Sequence, residues 1–284
     1  MSGNILEVSG RYDLGAAIRF LEGWPPTAGE NRQRSTLRWS MCLESSWEPI
    51  GVTAVQGADG IEFEYVGSAD QDDVAVHVAR VLSLDVDARG FDDVGDRDPI
   101  AGSILADFPG LRPVCFWTPY EAAVWGVISQ RSSRVTASRV KKHMARELGD
   151  RIGDGYAFPG PSRLEQLESF PGLPQVKIER LRAVAGAALA GRLDSRRLRS
   201  SGVEETLARL REIEGVGPFT AELILVRGAG HPDVFPRHEH RLHRAMRSAY
   251  GLTDASVNTL AVRAEHWSPY RSWVSFLFRV QAAG

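Results

Sequence analysis

The sequence predicts an α+β N-terminal domain, in which helices cover an antiparallel sheet, followed by an all-α domain. Short segments rich in β-branched and aromatic residues, separated by Pro, Gly and Asp turns, are concentrated before residue 70. Beyond residue 113 the apolar residues recur at helical spacing. The net charge changes sign between the same two parts of the chain. Residues 1–110 carry 8 basic and 19 acidic side chains, and residues 111–284 carry 26 basic and 17 acidic side chains. We therefore expect domains over residues 1–110 and 111–284.

Strands and two helices are expected in the N-terminal domain. The strands are predicted over residues 5–10, 37–44, 49–57 and 60–67, which are separated by Pro, Gly and Asp turns. Helices are predicted over residues 13–23, where Gly23 ends the pattern, and over residues 72–84. Residues 85–113 are rich in Asp, Gly and Pro, and they are predicted to form a connector with one short helix.

The all-α domain begins with a helix-start signal. Thr118 is placed to cap a helix, Pro119 takes its first position, and Glu121 follows three residues after the cap. One long helix is therefore predicted over residues 118–149. Further helices are predicted over residues 162–169, 176–191, 203–213, 217–228, 238–251 and 272–281.

Composition excludes several classes of protein. No apolar run reaches the roughly 18 residues that a membrane-spanning helix needs. The N-terminus lacks the basic start and apolar stretch of a secretory signal. Cys42 and Cys115 are too few for a disulfide framework or a four-cysteine iron–sulfur cluster. We expect a reduced, cytoplasmic monomer that does not associate with a membrane.

A tight turn between two helical patterns is the most informative motif of the chain. The first pattern ends before Gly215, Val216 and Gly217, and Pro218 opens the next helix. Two glycines expose backbone N–H groups, and a helix N-terminus adds unpaired N–H groups and the positive end of a dipole. Such a turn suits a nucleic-acid phosphate. The basic charge of residues 111–284 agrees with a polyanion partner, although two solvated faces of opposite sign would also account for it.

The motif L-x-x-I-x-G-V-G-P-F-T-A over residues 210–221 resembles the helix-hairpin-helix of the helix-hairpin-helix/Gly-Pro-Asp DNA glycosylase superfamily. The segment FWTPYEAAVWGVISQRSS (residues 116–133) resembles the first core helix of that family, and HWSPYRSWVSFLF (residues 266–278) resembles its C-terminal segment. GLRP at residues 110–113 and the acidic, β-rich N-terminal part are similar to the AlkA branch, the bacterial 3-methyladenine DNA glycosylases II.

This resemblance implies a DNA glycosylase that binds double-stranded DNA containing a modified base and needs no organic cofactor. Its DNA-binding residues would lie in the hairpin, at the start of the following helix, at the end of the first core helix and in the loop beyond the hairpin. They are Gly215, Val216, Gly217, Phe219, Thr220, Gln130 and Arg237. Among them, Gln130 would project towards the lesion.

In this family a catalytic carboxylate lies beyond the hairpin, in a segment of the form D-V-F-P-x-x-D. That segment runs here from Asp233 to Glu239, so Glu239 takes the position of the catalytic Asp. A fixed carboxylate there would stabilise the positive charge that develops on the sugar during cleavage. Because Glu is one methylene longer than Asp, three outcomes stay open: an active site reshaped around Glu239, a weak enzyme, or lost catalysis.

Family members that also cut the DNA backbone carry a nucleophilic Lys two residues after the second hairpin glycine. That position is Phe219 here, so no Schiff base is expected. The resemblance therefore implies a monofunctional enzyme that leaves an abasic site.

Three histidines surround Glu239 in the sequence. His240 and His243 have a spacing that suits zinc on one helix face. The alternative is a polar helix in which His238 and Arg237 face DNA, and this is the one we expect. No metal is predicted, while a monovalent cation at the hairpin backbone is left open.

An extruded base must stack between aromatic or apolar walls. The residues predicted to line this pocket are Trp125, Phe219, Leu223, Tyr270, Trp273 and His238. Trp267 is a further candidate, and Trp24 and Tyr12 are candidates for closing the pocket from the N-terminal domain. For each aromatic residue, a place in the hydrophobic core is the alternative.

An electron-rich pocket favours cationic alkylated purines through cation–π attraction, and these are the expected substrates. Two alternatives stay open. One is the same chemistry on a bulky hypermodified base, such as the glucosylated hydroxymethylcytosine of phage DNA. The other is a non-catalytic module that binds modified DNA.

Overall fold

The structure is a computed structural model, and it describes residues 4–27, 32–33 and 35–283. The N-terminal strands are β1 (Asn4–Leu6), β2 (Arg32–Gln33), β3 (Thr36–Cys42), β4 (Pro49–Gln56) and β5 (Ile61–Val66). They form one antiparallel sheet in the order β1-β5-β4-β3-β2. Buried and partly buried residues alternate along β3 and β4, so one face of the sheet packs inwards. The predicted antiparallel sheet is confirmed.

Two helices pack with this sheet: α1 (Leu14–Glu22) and α2 (Gln71–Val81). Both helices were predicted, and their buried residues join the inward-facing residues of the strands in one hydrophobic cluster. In that cluster Trp39 stacks on Trp117, with ring centroids 5.4 Å apart. Trp117 comes directly before the helical part, so the sheet and the helices share this contact.

The remainder of the chain is mainly helical. Its helices are α3 (Val94–Arg97), α4 (Pro99–Asp107), α5 (Pro119–Ser129), α6 (Arg134–Leu148), α7 (Pro161–Glu165), α8 (Gln175–Leu189), α9 (Ser195–Ser200), α10 (Val203–Arg211), α11 (Pro218–Leu223), α12 (His240–Tyr250), α13 (Val257–Ala264) and α14 (Arg271–Gln281). A π-helical turn over Ile224–Gly228 continues α11. Short 3-10 turns cover Pro25–Thr27 and Glu265–Trp267. The connector holds two helices, α3 and α4, where one was predicted, and α9 and α13 were not predicted.

The single helix predicted over residues 118–149 is interrupted, because residues 130–133 separate α5 from α6. Arg131 takes a positive φ of 51°, which is incompatible with a right-handed helix. Ser133 then caps α6, since its hydroxyl accepts the N–H of Thr136 at 3.1 Å. The local signal in QRSS marks both the end of one helix and the start of the next.

The prediction of an all-α second part is wrong at one place, where a β-hairpin is inserted. Its strands, β6 (Arg151–Ile152) and β7 (Gly155–Tyr156), pair antiparallel. Ser40 of β3 donates its hydroxyl to the carbonyl of Ile152 at 3.2 Å, so the hairpin contacts the N-terminal sheet. Gly153 takes a positive φ of 57° in the turn. Strands of two residues are too short for an alternating pattern to appear in the sequence.

Asp98 ties the connector to the C-terminal helices. Its Oδ1 caps α4 by accepting the N–H groups of Ile100 and Ala101, each at 3.2 Å. Its Oδ2 accepts the hydroxyl of Tyr250 at 2.5 Å and the indole N–H of Trp267 at 2.9 Å. One buried carboxylate therefore satisfies four donors from three parts of the chain.

Hydrophobic packing crosses the predicted boundary at residue 110. One cluster joins Val114 and Trp117 to the sheet, and a second lies within the helical part. A third combines Ala16 and Phe91 of the N-terminal part with Trp273 of α14. The two predicted domains share buried surface, and the boundary itself stays a prediction. In the portion of the chain that the structure describes, no helix has the length and apolar content needed to cross a membrane.

Candidate active site and nucleic-acid interface

The turn between α10 and α11 presents unpaired backbone groups at an open surface. Gly215 takes a positive φ of 87°, and the buried Val216 donates its N–H to the carbonyl of Ile213 at 3.0 Å. Among the described residues, no hydrogen bond engages the N–H groups of Gly217 and Phe219. Phe219 is 44% exposed, and a Cβ at Gly217 would meet no atom within 4 Å. This geometry suits an approaching anion.

An open cleft of about 350 Å³ adjoins the turn, lined by residues 212–217 together with Gln130, Arg180 and Arg211. Gln130 Nε2 donates to the carbonyl of Gly215 at 2.7 Å, and Gln130 Oε1 accepts from Arg180 Nη1 at 2.8 Å. The structure therefore places Gln130 where it braces the turn, with its amide engaged on both sides. The lining carries both charges, because Arg180 and Arg211 lie beside Glu212 and Glu214.

The side chain of Thr220 points away from this surface. Thr220 is buried, and a Cβ added at Gly126 of α5 would clash with its Cγ2. The glycine therefore allows α5 and α11 to approach closely at this contact. Thr220 was predicted to bind DNA. Its side chain is buried against α5, so only its backbone lies near the turn.

Glu222 on α11 is a residue of the site that the sequence analysis missed. It is 4% exposed, and its carboxylate accepts the N–H groups of Arg237 and His238, each at 2.9 Å. The same carboxylate accepts His238 Nδ1 at 2.7 Å. Glu222 thereby joins the hairpin helix to the loop that leads into Glu239. A carboxylate inside the apolar run of residues 219–226 was the available signal, since a buried charge needs partners.

Glu239 lies at the start of α12 and acts as its cap. Its Oε1 accepts the N–H of Arg241 at 3.1 Å and lies 3.6 Å from Nε of Arg279 on α14. The side chain is partly exposed. The positive end of the α12 dipole and the guanidinium both attract its negative charge. A negative charge is thus held at the start of α12, on the residue for which the sequence predicts the catalytic role.

Two partly buried arginines extend the positive charge of this region. Burial lowers the pKa of Arg279, although Glu239 acts in the opposite direction. Burial also lowers the pKa of Arg227 to about 10, and the charge of Arg279 contributes to that decrease. The guanidinium carbon of Arg227 lies 4.6 Å from the ring centre of Trp24 and 4.8 Å from that of Phe276. These aromatic faces already enclose a cation of the protein itself.

Most aromatic residues predicted for the base pocket lie in the hydrophobic core. The buried ones are Trp125, Tyr270, Trp273, Trp267 and Tyr12. Leu223 is partly buried against the core of the helical part. Phe219 and His238 are the two exposed residues of the predicted set of six. Large rings gain most from removal from water, and in this fold the core provides that environment. Phe219 and His238 are therefore the predicted pocket residues that remain at the surface.

The histidines near Glu239 face other partners in this structure. His243 is buried and donates through Nε2 to the carbonyl of Pro236 at 2.9 Å, whereas His238 is engaged by Glu222. Within residues 4–27, 32–33 and 35–283, no group of three or more His, Cys, Asp and Glu is placed to hold a metal ion.

The turn carbonyls are the ligands that a monovalent cation at the hairpin would use. The carbonyl of Ile213 accepts the N–H of Val216, and that of Gly215 accepts Gln130. Each carbonyl oxygen retains a second lone pair, so the turn fits such an ion. The cation stays a prediction.

Comparisons with known proteins agree with the family resemblance that the hairpin motif indicates. No family model matches the chain. A Mycobacterium tuberculosis protein named "Probable bifunctional transcriptional activator/DNA repair enzyme AlkA" is 32% identical over 203 residues, which cover 69% of this chain and 40% of that protein. This chain thus matches less than half the length of that relative. The DNA-3-methyladenine glycosylase of Bacillus subtilis is 25% identical over 223 residues, covering 74% of this chain and 73% of the relative.

The fold is also found in a solved structure, the 3-methyladenine DNA-glycosylase from Archaeoglobus fulgidus. It matches with a TM-score of 0.78 and 19% identity, and the match covers 100% of this chain and 98% of that one. The chain is an AlkA-like member of the helix-hairpin-helix glycosylases. The catalytic role of Glu239 in this AlkA-like chain stays a prediction from the sequence.

The two glycines of this AlkA-like hairpin are expected to respond differently to substitution. Gly217→Val should weaken binding to duplex DNA by about 10-fold, because its side chain stands where a phosphate approaches and meets no protein atom. Gly215→Val should instead lower the free energy of unfolding by about 1–3 kcal/mol, since φ is positive there and the Cβ would lie 2.7 Å from Arg180 Cγ. Fluorescence anisotropy and denaturant unfolding measure the two effects. Wild-type DNA affinity in Gly217→Val would contradict the assigned surface.

Proposed function

We propose that this protein is a monofunctional DNA glycosylase that binds double-stranded DNA, extrudes an alkylated base and hydrolyses its N-glycosidic bond. The observation that carries the proposal is the Glu222 contact between the hairpin helix and the loop before Glu239. It holds the phosphate-binding turn and the carboxylate in a fixed relation. An alkylated purine as substrate is supported by the Bacillus subtilis relative, which is named a DNA-3-methyladenine glycosylase.

In this proposal, DNA lies across the start of α11 and the cleft beside it. The N–H groups of Gly217 and Phe219 bind a phosphate, and Arg180 and Arg211 add positive charge. Arg237 supplies a further cation on the loop before Glu239, where its Nη1 donates to Asn258 Oδ1 at 2.8 Å. These contacts are independent of base sequence, as a protein that searches for rare modified bases requires.

Glu239 would act by electrostatic stabilisation. As the bond between C1′ and the base nitrogen breaks, its electron pair leaves with the base and positive charge develops on the sugar. The carboxylate stabilises that charge and accepts a proton from the water that attacks C1′. The products are the free base and an abasic site. Protein side chains and water suffice for these steps, so the proposal includes no organic cofactor.

Base release from two DNAs tests the proposal. Purified protein is incubated with randomly methylated duplex DNA and with phage DNA that contains hypermodified cytosines, and the released bases are identified by mass spectrometry. We expect release of methylated purines by the wild type and its loss in Glu239→Gln. Release of a base from the phage DNA and not from the methylated DNA would identify a bulky hypermodified base as the substrate. DNA binding without release of any base would overturn the proposal in favour of a non-catalytic module.

No strand cleavage is expected to follow base release. Phe219 stands at the family's lyase position, and of the three lysines in the chain, Lys141 donates to Glu121 at 2.7 Å and Lys177 to Ile128 O at 2.6 Å. An imine with the opened sugar needs a free amine at C1′. Gel electrophoresis after borohydride treatment should therefore show an intact abasic strand and no protein–DNA adduct. Phe219→Lys provides the matched control with an amine at that position, and an adduct with the wild type would refute monofunctional chemistry.

A further inference from the structure

Arg279 places a positive charge beside the carboxylate that the proposed function uses. Its Nε lies 3.6 Å from Glu239 Oε1, and its side chain is 21% exposed. This distance is that of an ion pair and exceeds a normal hydrogen bond. Within the described chain no hydrogen bond engages the guanidinium of Arg279. Its N–H groups are therefore open to a ligand that enters next to Glu239.

Glu239 does not depend on Arg279 for its position. The carboxylate already accepts the N–H of Arg241 and caps α12, which fixes it at the start of that helix. A partly buried guanidinium with unused donors is destabilising unless a partner satisfies it. Among the described residues, no nitrogen of Arg279 is a buried atom without a partner, so its donors reach solvent and can be transferred to a ligand.

The aromatic faces near Arg279 are already occupied by a cation. Phe276 lies one turn before Arg279 on α14, and together with Phe20 and Trp24 it surrounds the guanidinium of Arg227. The distances from the guanidinium carbon to the three ring centres are 4.6–5.4 Å. Cation–π attraction at these rings is used within the protein, so they do not offer it to a positively charged base.

The charge of the leaving base decides what a cation beside the sugar can do. When a neutral base departs, both electrons of the C1′–N bond go to the base nitrogen, and the base leaves as an anion. Water then bonds to C1′ and gives its proton to Glu239, from which the anionic base can be protonated through solvent. A base with a fixed positive charge departs as a neutral molecule. A guanidinium stabilises the neutral base as it leaves as an anion. It repels the cationic base before the bond breaks.

We infer that Arg279 is a specificity-determining residue that favours neutral modified bases, which leave as anions, over alkylated bases with a fixed positive charge. The inference rests on the proposed function and ranks its substrates: cationic methylated purines are still released, and Arg279 raises the release of neutral modified bases relative to them. Glu239 stabilises the sugar cation, and Arg279, whose Nε lies 3.6 Å from the same carboxylate, stabilises the negative charge of the leaving base. The pair thus matches the charge separation of the transition state for a neutral base.

Release of two alkylated purines from the same duplex sequence tests this inference. The neutral base is 1,N6-ethenoadenine and the cationic base is 7-methylguanine, each measured under single-turnover conditions. Arg279→Gln should slow release of the neutral base by about 10-fold or more and leave release of the cationic base unchanged or faster. Arg279→Lys keeps the charge and should retain part of the preference. Arg263→Gln, which removes an exposed arginine from α13, should change neither rate.

The ratio of the two rates separates specificity from folding. Equal loss for both bases in Arg279→Gln would indicate a structural role and overturn the inference. An unchanged ratio, with both bases released, would also overturn it while the proposed function stands. If the wild type releases neither base, the proposed function fails and the inference falls with it.

Discussion

Glu239→Gln is expected to slow release of an alkylated base by about 10²–10³-fold while DNA affinity is retained. The amide keeps the oxygen that accepts the N–H of Arg241, so the cap of α12 survives, but the negative charge is lost. A neutral side chain no longer offsets the positive charge on the sugar in the transition state. Single-turnover base release, measured beside DNA binding by anisotropy, separates the chemical step from affinity.

Two matched variants make this prediction specific. Glu265→Gln removes a different carboxylate, which pairs with Arg271 at 2.8 Å, and should leave base release unchanged. Glu239→Asp draws the carboxylate back by roughly an ångström and should slow release by up to about 10²-fold if the site is shaped around Glu. Faster release in Glu239→Asp would instead identify the wild type as a weakened enzyme. A full rate in Glu239→Gln would remove Glu239 from the mechanism.

Asp98→Ala is expected to lower the free energy of unfolding by about 3–5 kcal/mol. The substitution removes the cap of α4 and leaves the hydroxyl of Tyr250 and the indole N–H of Trp267 without their acceptor in a buried place. Asp98 is part of the connector, so the loss affects packing far from the hairpin. Urea unfolding monitored by tryptophan fluorescence measures the change.

Asp98→Asn is the control variant, because it removes the negative charge and keeps the shape of the side chain. Its carbonyl oxygen can still accept a donor, so its loss of stability should be clearly smaller than that of Asp98→Ala. DNA affinity at a temperature where the variants are folded should be unchanged, because Asp98 lies in the connector and not in the hairpin. A loss below about 1 kcal/mol in Asp98→Ala would show that water replaces the carboxylate at these donors.

Local sequence patterns predicted the fold where the signal and the structure are both local. The β-branched residues between turn signals at residues 49–57 predicted β4, and Thr118 caps α5 as its sequence context indicates, accepting the N–H of Glu121 at 3.0 Å. The interruption at Arg131 and the hairpin of residues 151–156 depend on one or two backbone angles and on contacts with the sheet. Periodicity over a window of ten or more residues cannot report such features.

In the candidate site, too, features set by a short motif were predicted, and contacts between distant segments were not. The two glycines of the turn and the position of Glu239 follow from short motifs, and the structure places them at an exposed turn and at a helix start. The bonds of Glu222 and Gln130 connect segments that are distant in sequence, so no motif predicts them. Aromatic residues were assigned to a pocket by type, whereas their burial is decided by the packing of the whole chain.

The hydrophobic cluster that joins Ala16 and Phe91 to Trp273 has a mechanical consequence. Swinging one part of the protein against the other would expose this apolar surface to water, so the frame around Glu239 behaves as a stiff template. In the proposed function, distortion on complex formation would then fall on the duplex, which must bend and unstack to bring a sugar to the carboxylate. Base pairs that are already weakened need less of that distortion. Under that proposal, discrimination among nucleotides would begin with the deformability of the DNA, before any atom of the base contacts the protein.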